Sequence, residues 1–195
     1  MKLVNLFSDV INIKPIDHFD NRGYFRENFN YKELEKNGIT FNSVQDNLSF
    51  SEKKGTIRGL HFQIAPFEQS KIIYVVKGKI FDVFVDLRPE SNNFGNYSSI
   101  ELSSDSGFVF IPKGFAHGFC TLEDNTTVLY KVDNYYNKES ESGIIWNDND
   151  LNIEAISPGL FTHAPWVWES PTSKNSKFFW SHSLSGLLKP YLSLS

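Results

Sequence analysis

Short β-prone segments separated by turn residues recur at intervals of about ten residues along most of this chain. The segments are rich in Val, Ile, Phe, Tyr and Thr, and the breaks carry residues such as Lys77-Gly78 and Pro112-Lys113-Gly114. This pattern is typical of an all-β jelly-roll sandwich or barrel, whose mouth commonly holds a small-molecule site. The predicted strands are residues 24–29, 44–50, 56–62, 71–76, 79–86, 97–102, 108–111, 117–122 and 127–133.

The composition fits one globular domain and argues against several classes of partner. The chain has 195 residues, and its net charge of −4 argues against nucleic-acid binding. The single Cys120 leaves no intramolecular disulfide and no multi-cysteine zinc site. No apolar run approaches the ~20 residues of a membrane helix, and the start of the sequence has no signal-peptide pattern. We therefore expect a cytoplasmic protein without nucleic-acid or membrane partners.

Two regions depart from the strand pattern. Residues 31–37 predict a helix that is capped by Asn30 and stopped by Gly38. Residues 157–195 form a tail that holds three of the four Trp and many Ser. The tail is too apolar for a solvated arm, so we expect it to pack on the barrel or on a partner subunit, with a short helix in it.

Residues 56–62, with the sequence TIRGLHF, form the most informative of the predicted strands. Arg58 and His61 lie three residues apart in an apolar, β-branched run. The planar guanidinium of Arg58 suits two phosphate oxygens at once. The imidazole of His61 titrates near neutral pH and suits a proton transfer. The pair indicates an enzyme that acts on a phosphorylated or nucleotide-linked substrate; the alternative is a buried His beside a surface Arg.

Three further residues stand out because of the strands that hold them. Lys71 lies within an apolar strand, where a lysine is costly unless it faces a pocket or an anion. His117 follows the Pro112-Lys113-Gly114 turn, and Tyr130 alternates with apolar residues. Each residue also has a structural explanation. Lys71 would be a surface lysine on an edge strand, His117 a core histidine and Tyr130 a core aromatic residue.

The segment DNRGYFRE, residues 20–27, combines a turn with cations and aromatic rings. Arg22 suits the phosphates of a nucleotide, and Phe25 suits stacking against its base. A solvated hairpin explains the same residues equally well.

Taken together, these segments resemble the dTDP-4-dehydrorhamnose 3,5-epimerase family, whose fold is a jelly-roll cupin. The resemblance holds in order and spacing from about residue 10 to residue 153, which makes the set of motifs specific. The matching segments are residues 20–27, 45–47, 58–63, 77–79, 81–88, 94–95, 111–119, 130–131, 135–136 and 146–148.

The resemblance implies chemistry next to a sugar 4-ketone, without any cofactor. His61 would remove the proton from the neighbouring carbon, and Tyr130 would return a proton from the opposite face. Lys71 would stabilise the enolate oxygen, which is where a fixed cation lowers the barrier most. The substrate would be a nucleotide-diphosphate sugar, most readily a dTDP sugar.

The resemblance also implies a set of binding residues and a homodimer. Residues 1–30 would form an arm that reaches the neighbouring subunit's site. An open sheet edge together with such an arm favours a dimer of identical chains. The binding residues would be Arg58 and His117 for the sugar and diphosphate, Arg22, Phe25 and Glu27 for the nucleotide, and Gln45, Asn47 and Tyr136 for the pocket wall.

The chain departs from the family near its C-terminus. Family members have an acidic residue there that pairs with the catalytic His, in a segment that this chain lacks. Glu169 lies roughly where that residue would fall, and Asp82 on a barrel strand is another candidate partner of His61. The altered tail leaves open an epimerase that inverts only C3 or only C5, and one that acts on a GDP- or CDP-linked sugar or on a heptose.

Two other classes compete with an epimerase. A metal-dependent cupin would need a His-rich ligand set, but Gln63 replaces the second His and leaves His61, Glu68 and His117 as a poor one. We therefore expect no metal site. The missing acidic residue also suits a sugar-nucleotide-binding module without catalytic activity.

Overall fold

The computed structural model describes residues 1–151 and 153, which fold almost entirely into short strands. One helix, α1, spans Tyr31–Lys36, and the Asn30 side chain caps it by accepting a hydrogen bond from the Glu33 amide. The strands are β1 Lys2–Phe7, β2 Val10–Lys14, β3 Asp17–Asp20, β4 Gly23–Arg26, β5 Gln45–Ser51, β6 Ile57–Gln63, β7 Lys71–Lys77, β8 Lys79–Asp86, β9 Tyr97–Ser103, β10 Phe108–Ile111, β11 Phe115–Thr121, β12 Thr126–Val132 and β13 Glu141–Gly143.

Two large antiparallel sheets face each other, as a jelly-roll sandwich requires. The six-stranded sheet has the order β1-β2-β10-β7-β12-β5, and the five-stranded sheet has the order β13-β6-β11-β8-β9. The predicted fold class is therefore confirmed. Within the described part of the chain, no helix is long and apolar enough to cross a membrane.

Alternating side chains divide the core into layers. On β7, Ile73 and Val75 point between the sheets into the main core, while Ile72 and Tyr74 lie on the outer face with Leu34 of α1. Because side chains alternate along a strand, Lys71 lies on the same inner face as Ile73. The strand therefore carries one cation inward at its beginning and apolar residues inward along the rest of its length.

The first thirty residues do not all form an arm. Strands β1 and β2 belong to the six-stranded sheet, where β2 pairs with β10. Only the β3–β4 hairpin is a separate two-stranded sheet. Arg26 at its base pairs with Asp17 and donates to the backbone carbonyl of Ser104 at 2.7 Å. The expected arm is thus reduced to a hairpin of about ten residues that is anchored at its base.

Strands β6 and β11 approach closely at two glycines. Gly59 has a φ of +102°, and a Cβ placed on it would lie 2.5 Å from the carbonyl oxygen of His117 and 2.6 Å from the Cα of Gly118. A Cβ on Gly118 would lie 2.6 Å from the carbonyl oxygen of Arg58. The close approach fixes the register in which His61 pairs with His117.

We expect Gly59→Ala to destabilise the protein more than Gly38→Ala does. Both glycines have positive φ, but a Cβ on Gly38 (φ +82°) would have no atom within 4 Å. Gly38→Ala should therefore cost only backbone strain, about 1–2 kcal/mol. Gly59→Ala adds a clash with strand backbone and should cost about 3 kcal/mol or more. Urea denaturation measures both changes, and equal losses would show that the close approach is not a constraint.

Candidate active site

The inner faces of the two sheets bring most of the predicted site residues into one space. His61 on β6 lies opposite His117 on β11 in the five-stranded sheet. In the six-stranded sheet, Tyr130 on β12 lies opposite Asn47 on β5 and Ile73 on β7. His61 and Tyr130 therefore stand on facing walls, which is the arrangement that proton transfer to opposite faces of one ring requires.

A contact between His61 and Lys71 joins the two sheets. The Lys71 Nζ lies 3.4 Å from the His61 Nδ1 and 3.4 Å from its carbonyl oxygen. Burial lowers the pKa of His61, and the nearby Lys71 cation lowers it further. At neutral pH the imidazole is therefore held in its unprotonated form, which is the form that can accept a proton.

Lys71 is a buried cation. Its side chain is only 6% exposed, and this burial lowers the pKa of its ammonium to about 8, with the Asp82 carboxylate acting in the opposite direction. A group with that pKa is still mostly protonated at pH 7. The site thus keeps a positive charge in a water-poor space, where it interacts strongly with any anion that forms nearby.

Asp82 hydrogen-bonds His117, not His61. Its Oδ1 lies 2.7 Å from the His117 Nε2, and the carboxylate is fully buried. Its Oδ2 has no hydrogen-bond partner among the described residues. The expectation that Asp82 pairs with His61 is therefore corrected. The pairing of β8 with β11 sets Asp82 opposite Phe119, and from there its carboxylate contacts His117 two residues away on β11. The other candidate, Glu169, lies outside the described residues.

Glu141 is a site residue that the sequence interpretation missed. Its Oε1 lies 3.4 Å from the His61 Nε2, and its Oε2 accepts a 2.7 Å hydrogen bond from the Tyr136 hydroxyl. His61 and then Tyr136 lower the pKa of Glu141, against the effect of its burial. Burial, with the adjacent Glu141, raises the pKa of Tyr136 to about 12. In the sequence, Glu141 is only one carboxylate in a short segment, strand β13. Its closeness to His61 follows only once the pairing of β13 with β6 is known.

The remaining pocket residues surround Tyr130. Burial raises the pKa of Tyr130, so its hydroxyl keeps its proton at neutral pH. Arg58 reaches strand β5, where it donates to the Ser51 Oγ at 3.1 Å and to the Phe50 carbonyl at 2.9 Å. Gln45 donates to the Asn47 Oδ1 at 2.7 Å on the same strand.

The three predicted nucleotide contacts lie on or beside the hairpin and make local contacts. Arg22 pairs with Asp20 at 2.5 Å, and Glu27 accepts a 2.8 Å hydrogen bond from Asn30. Phe25 is 70% exposed. Within one chain the hydrogen bonds of Arg22 and Glu27 thus hold the hairpin and the helix cap, and do not reach the residues around His61.

A metal site formed by His61, Glu68 and His117 is the alternative hypothesis for these histidines. Among residues 1–151 and 153, no group of three or more His, Cys, Asp or Glu side chains is arranged to hold a metal ion.

We expect Lys71→Met to stabilise the protein at pH 7 by up to about 3 kcal/mol. The pKa of Lys71 falls from 10.5 to about 8 on folding, so the folded state binds this proton less tightly than the unfolded chain. Stability should therefore rise with pH between about 8 and 10.5 in the parent protein, and this rise should disappear in the variant. Urea denaturation across that pH range measures it. Lys77→Met, at the exposed end of the same strand, is the control; a less stable Lys71→Met at pH 7 would contradict the prediction.

Known proteins have sequences and folds similar to those of this chain. Residues 5–173 match the family model described as dTDP-4-dehydrorhamnose 3,5-epimerase. A protein of that name from Shigella flexneri is 45% identical over 148 residues, which cover 75% of this chain and 81% of that protein.

Solved structures agree with the sequence match. The epimerase of the same name from Bacillus anthracis, with TDP and pyrophosphate bound, has 48% identity and a TM-score of 0.77, covering 78% of this chain and 89% of its own. A dTDP-6-deoxy-D-glucose-3,5-epimerase from Legionella pneumophila, in complex with dTDP-4-keto-L-rhamnose, has 38% identity and a TM-score of 0.74, covering 87% and 88%. The chain therefore belongs to the dTDP-4-dehydrorhamnose 3,5-epimerase family of isomerases, as its motifs predict.

Proposed function

We propose that this protein inverts C3 and C5 of a dTDP-linked 4-keto-6-deoxy sugar by removing and returning protons next to the ketone. The observation that carries the proposal is the 3.4 Å contact between His61 and the buried Lys71, with Tyr130 on the facing wall. Burial and Lys71 lower the pKa of His61, which favours the form that accepts a proton. The Legionella relative, with dTDP-4-keto-L-rhamnose bound, supports the choice of nucleotide and sugar.

The chemistry follows from the charges of these three side chains. The C–H bond next to the ketone breaks, its proton joins the His61 imidazole, and its electron pair moves onto the ketone oxygen. Lys71 stabilises the resulting enolate because it is a fixed cation in a space with little water. Tyr130 then gives its phenolic proton to the other face of the carbon, which inverts that centre. The cycle closes when His61 loses its proton to water and the tyrosinate regains one.

We propose that the substrate's other groups are held by the polar inner faces. Arg58 and His117 lie at the sugar and diphosphate, where cations and donors suit phosphate oxygens. Gln45 and Asn47 face the same space from β5. The base and its phosphates are held by the hairpin residues Arg22, Phe25 and Glu27 of a second subunit.

We further propose that the chain forms one domain and acts as a homodimer in the cytoplasm. Strand β5 is the edge of the six-stranded sheet, and its outward-facing Leu48 and Phe50 are 67% and 57% exposed. The hairpin carries Phe19 and Phe25, which are 76% and 70% exposed. An unpaired edge with apolar residues and a projecting apolar hairpin are complementary surfaces in two copies of one chain. The buried, unpaired Cys120 fits a reducing compartment.

We expect NMR in D₂O to show solvent deuterium at C3 and C5 of a dTDP-4-keto-6-deoxy sugar, together with inverted product. His61→Asn should abolish exchange at every inverted carbon, because it removes the base. Tyr130→Phe should keep exchange through His61 but cut inversion by about 10²-fold or more, because Phe has no proton to return. Parallel samples with GDP- and CDP-linked sugars report nucleotide preference, and the label positions report which carbons are inverted.

Three results would oppose these assignments. Retention of more than a few per cent of exchange in His61→Asn would remove His61 as the base. Equal loss of exchange and inversion in Tyr130→Phe would make Tyr130 a pocket-shaping residue. If none of the 4-keto sugars takes up deuterium, the protein is a sugar-nucleotide-binding module and not an epimerase.

We expect Leu48→Asp to weaken the dimer by about tenfold or more, because it places a charge in an apolar contact. Light scattering over a dilution series should give twice the 22.4 kDa chain mass for the parent protein and a lower mass for the variant at the same concentration. Val4→Asp, at an exposed position on β1 at the opposite edge of the sheet, should leave the dimer unchanged. A parent protein that is monomeric at micromolar concentration would refute the dimer.

A further inference from the structure

We propose that three amide side chains, those of Gln63, Gln69 and Asn134, form a clasp that fixes the spacing between the two walls of the site, with Gln63 as its central positioning residue. These amides act through the loops that they join and do not contact the substrate. The catalytic consequence of the clasp rests on the proposed function, whereas its effect on the walls can be measured without any substrate.

Two loops carry the chain from one sheet to the other beside the site. The first crossing loop, residues 64–70, leads from β6 in the five-stranded sheet to β7 in the six-stranded sheet. The second crossing loop, residues 133–140, leads back from β12 to β13. His61 and Lys71 flank the first loop, and Tyr130 precedes the second. Contacts between the loops therefore act on the spacing of the walls that hold these three residues.

Gln63 is buried at the end of β6 and uses both ends of its amide. The residue is only 4% exposed. Its Nε2 donates to the Phe67 carbonyl at 2.5 Å and to the Tyr135 carbonyl at 3.2 Å, and its Oε1 accepts from the Asn137 backbone amide at 2.7 Å. The first bond stays within the first crossing loop, and the other two reach the second. Because two carbonyls and one N–H surround this position, a side chain with both donors and an acceptor is needed to satisfy them.

Two further amides join the same pair of loops. The Gln69 Nε2 donates to the Asn134 carbonyl at 2.7 Å. The Asn134 Nδ2 in turn donates to the Pro66 carbonyl at 3.3 Å and to the Glu68 carbonyl at 3.4 Å. Each of these bonds links the first crossing loop to the second. The clasp thus acts from both loops and does not depend on Gln63 alone.

The clasp consists of neutral groups, which suits its place beside a base and a cation. Gln63 lies two residues from His61 on the same face of β6, because side chains alternate along a strand. A charged residue there would shift the pKa of His61 and that of Lys71, which is 3.4 Å from the imidazole. An amide supplies donors and an acceptor without that effect. The clasp therefore gives a reason for glutamine at the position where a metal-dependent cupin would have its second histidine.

The titration of Lys71 reports the spacing between the walls. Burial lowers the pKa of Lys71 to about 8, and Asp82 on β8 acts in the opposite direction. His61 contacts Lys71 from β6, while its strand neighbours, Ile111 on β10 and Val132 on β12, are apolar. Walls that moved apart would admit water to the ammonium and would raise its pKa towards 10.5.

The first test compares Gln63→Met with the parent chain by NMR without substrate, in protein labelled with ¹³C-lysine and ¹⁵N. Met has the length of Gln but no amide to donate or accept these bonds. The pKa of Lys71 should rise by about half a unit or more, and the Asn137 backbone amide should exchange with solvent about tenfold faster or more. Asn12→Leu is the matched control, because Asn12 is a buried amide on β2 outside both crossing loops. It should leave both measurements unchanged.

A milder variant keeps the proposal testable if Gln63→Met does not fold. Gln69→Met removes one bond of the clasp, the one to the Asn134 carbonyl. It should raise the pKa of Lys71 in the same direction by a smaller amount.

The second test uses a dTDP-4-keto-6-deoxy sugar in D₂O and separates deuterium exchange from inversion. Exchange needs His61 and Lys71, whereas inversion also needs Tyr130 on the facing wall. In Gln63→Met, inversion should fall by about 10²-fold and exchange by less than about tenfold, since a misplacement of about 1 Å can have an effect of that size. A residue that only supports folding would lower the two rates by the same factor.

The two tests separate failure of the inference from failure of the proposed function. If Gln63→Met leaves the Lys71 titration and the Asn137 exchange unchanged, or if Asn12→Leu shifts them equally, the clasp is rejected whatever the activity. An equal loss of exchange and inversion in Gln63→Met would also reject it, because Gln63 would then only support folding. A shifted Lys71 titration in a protein that exchanges no 4-keto sugar would retain the clasp and reject the epimerase.

Discussion

The contact between the His61 imidazole and the Lys71 ammonium is the interaction on which the rest of the site depends. A base and a cation normally belong in different environments, since the cation weakens the base by lowering its pKa. Here the two groups are only 3.4 Å apart. In the proposed reaction they would act on one carbon and on its neighbouring ketone oxygen. The two sheets make the contact possible because each contributes one of the two residues, and neither sheet alone contains both.

The site is formed by the same alternation that forms the core. On β7 the inner face reads Lys71, Ile73, Val75, and on β8 it includes the buried Asp82 between the apolar Ile80 and Phe84. The polar residues thus replace core residues at one end of the sandwich without changing the strand pattern. Burying the charge of these polar residues costs free energy of folding. The opposite charges of Lys71 and Asp82 partly compensate each other, and the extended apolar core offsets the rest.

Much of this arrangement could be predicted from the sequence. Strands β8 and β10 begin and end where the pattern predicts, and α1 follows its cap and stop residues. Strands β1 and β2 were not predicted, because their apolar residues are interrupted by Asn5 and Asn12 and their partners lie far along the chain. Local propensity contains no information on such pairings.

The same limit explains the parts of the site that the sequence left open. That Asp82 faces inward follows from alternation on β8, but its choice of His117 depends on the register between β8 and β11. Glu141 is eighty positions from His61 in the numbering, and only the β13–β6 pairing brings them together. The motifs supplied the candidate catalytic residues, while the hydrogen-bond partner of each residue depends on long-range register.

Strand β5 shows an inversion of the usual edge-strand pattern. Its inward positions, Gln45, Asn47 and Ser49, are polar, and its outward Leu48 and Phe50 are apolar and exposed. An ordinary edge strand has one solvated side on which substitutions are nearly neutral during evolution. In β5 the inward side chains line the proposed pocket and the outward side chains are apolar. Consecutive residues would therefore be constrained by two different requirements, one for the pocket and one for the subunit contact. In the proposed dimer, a substitution that alters the subunit contact and one that alters the proposed pocket would therefore be only one peptide bond apart on this strand.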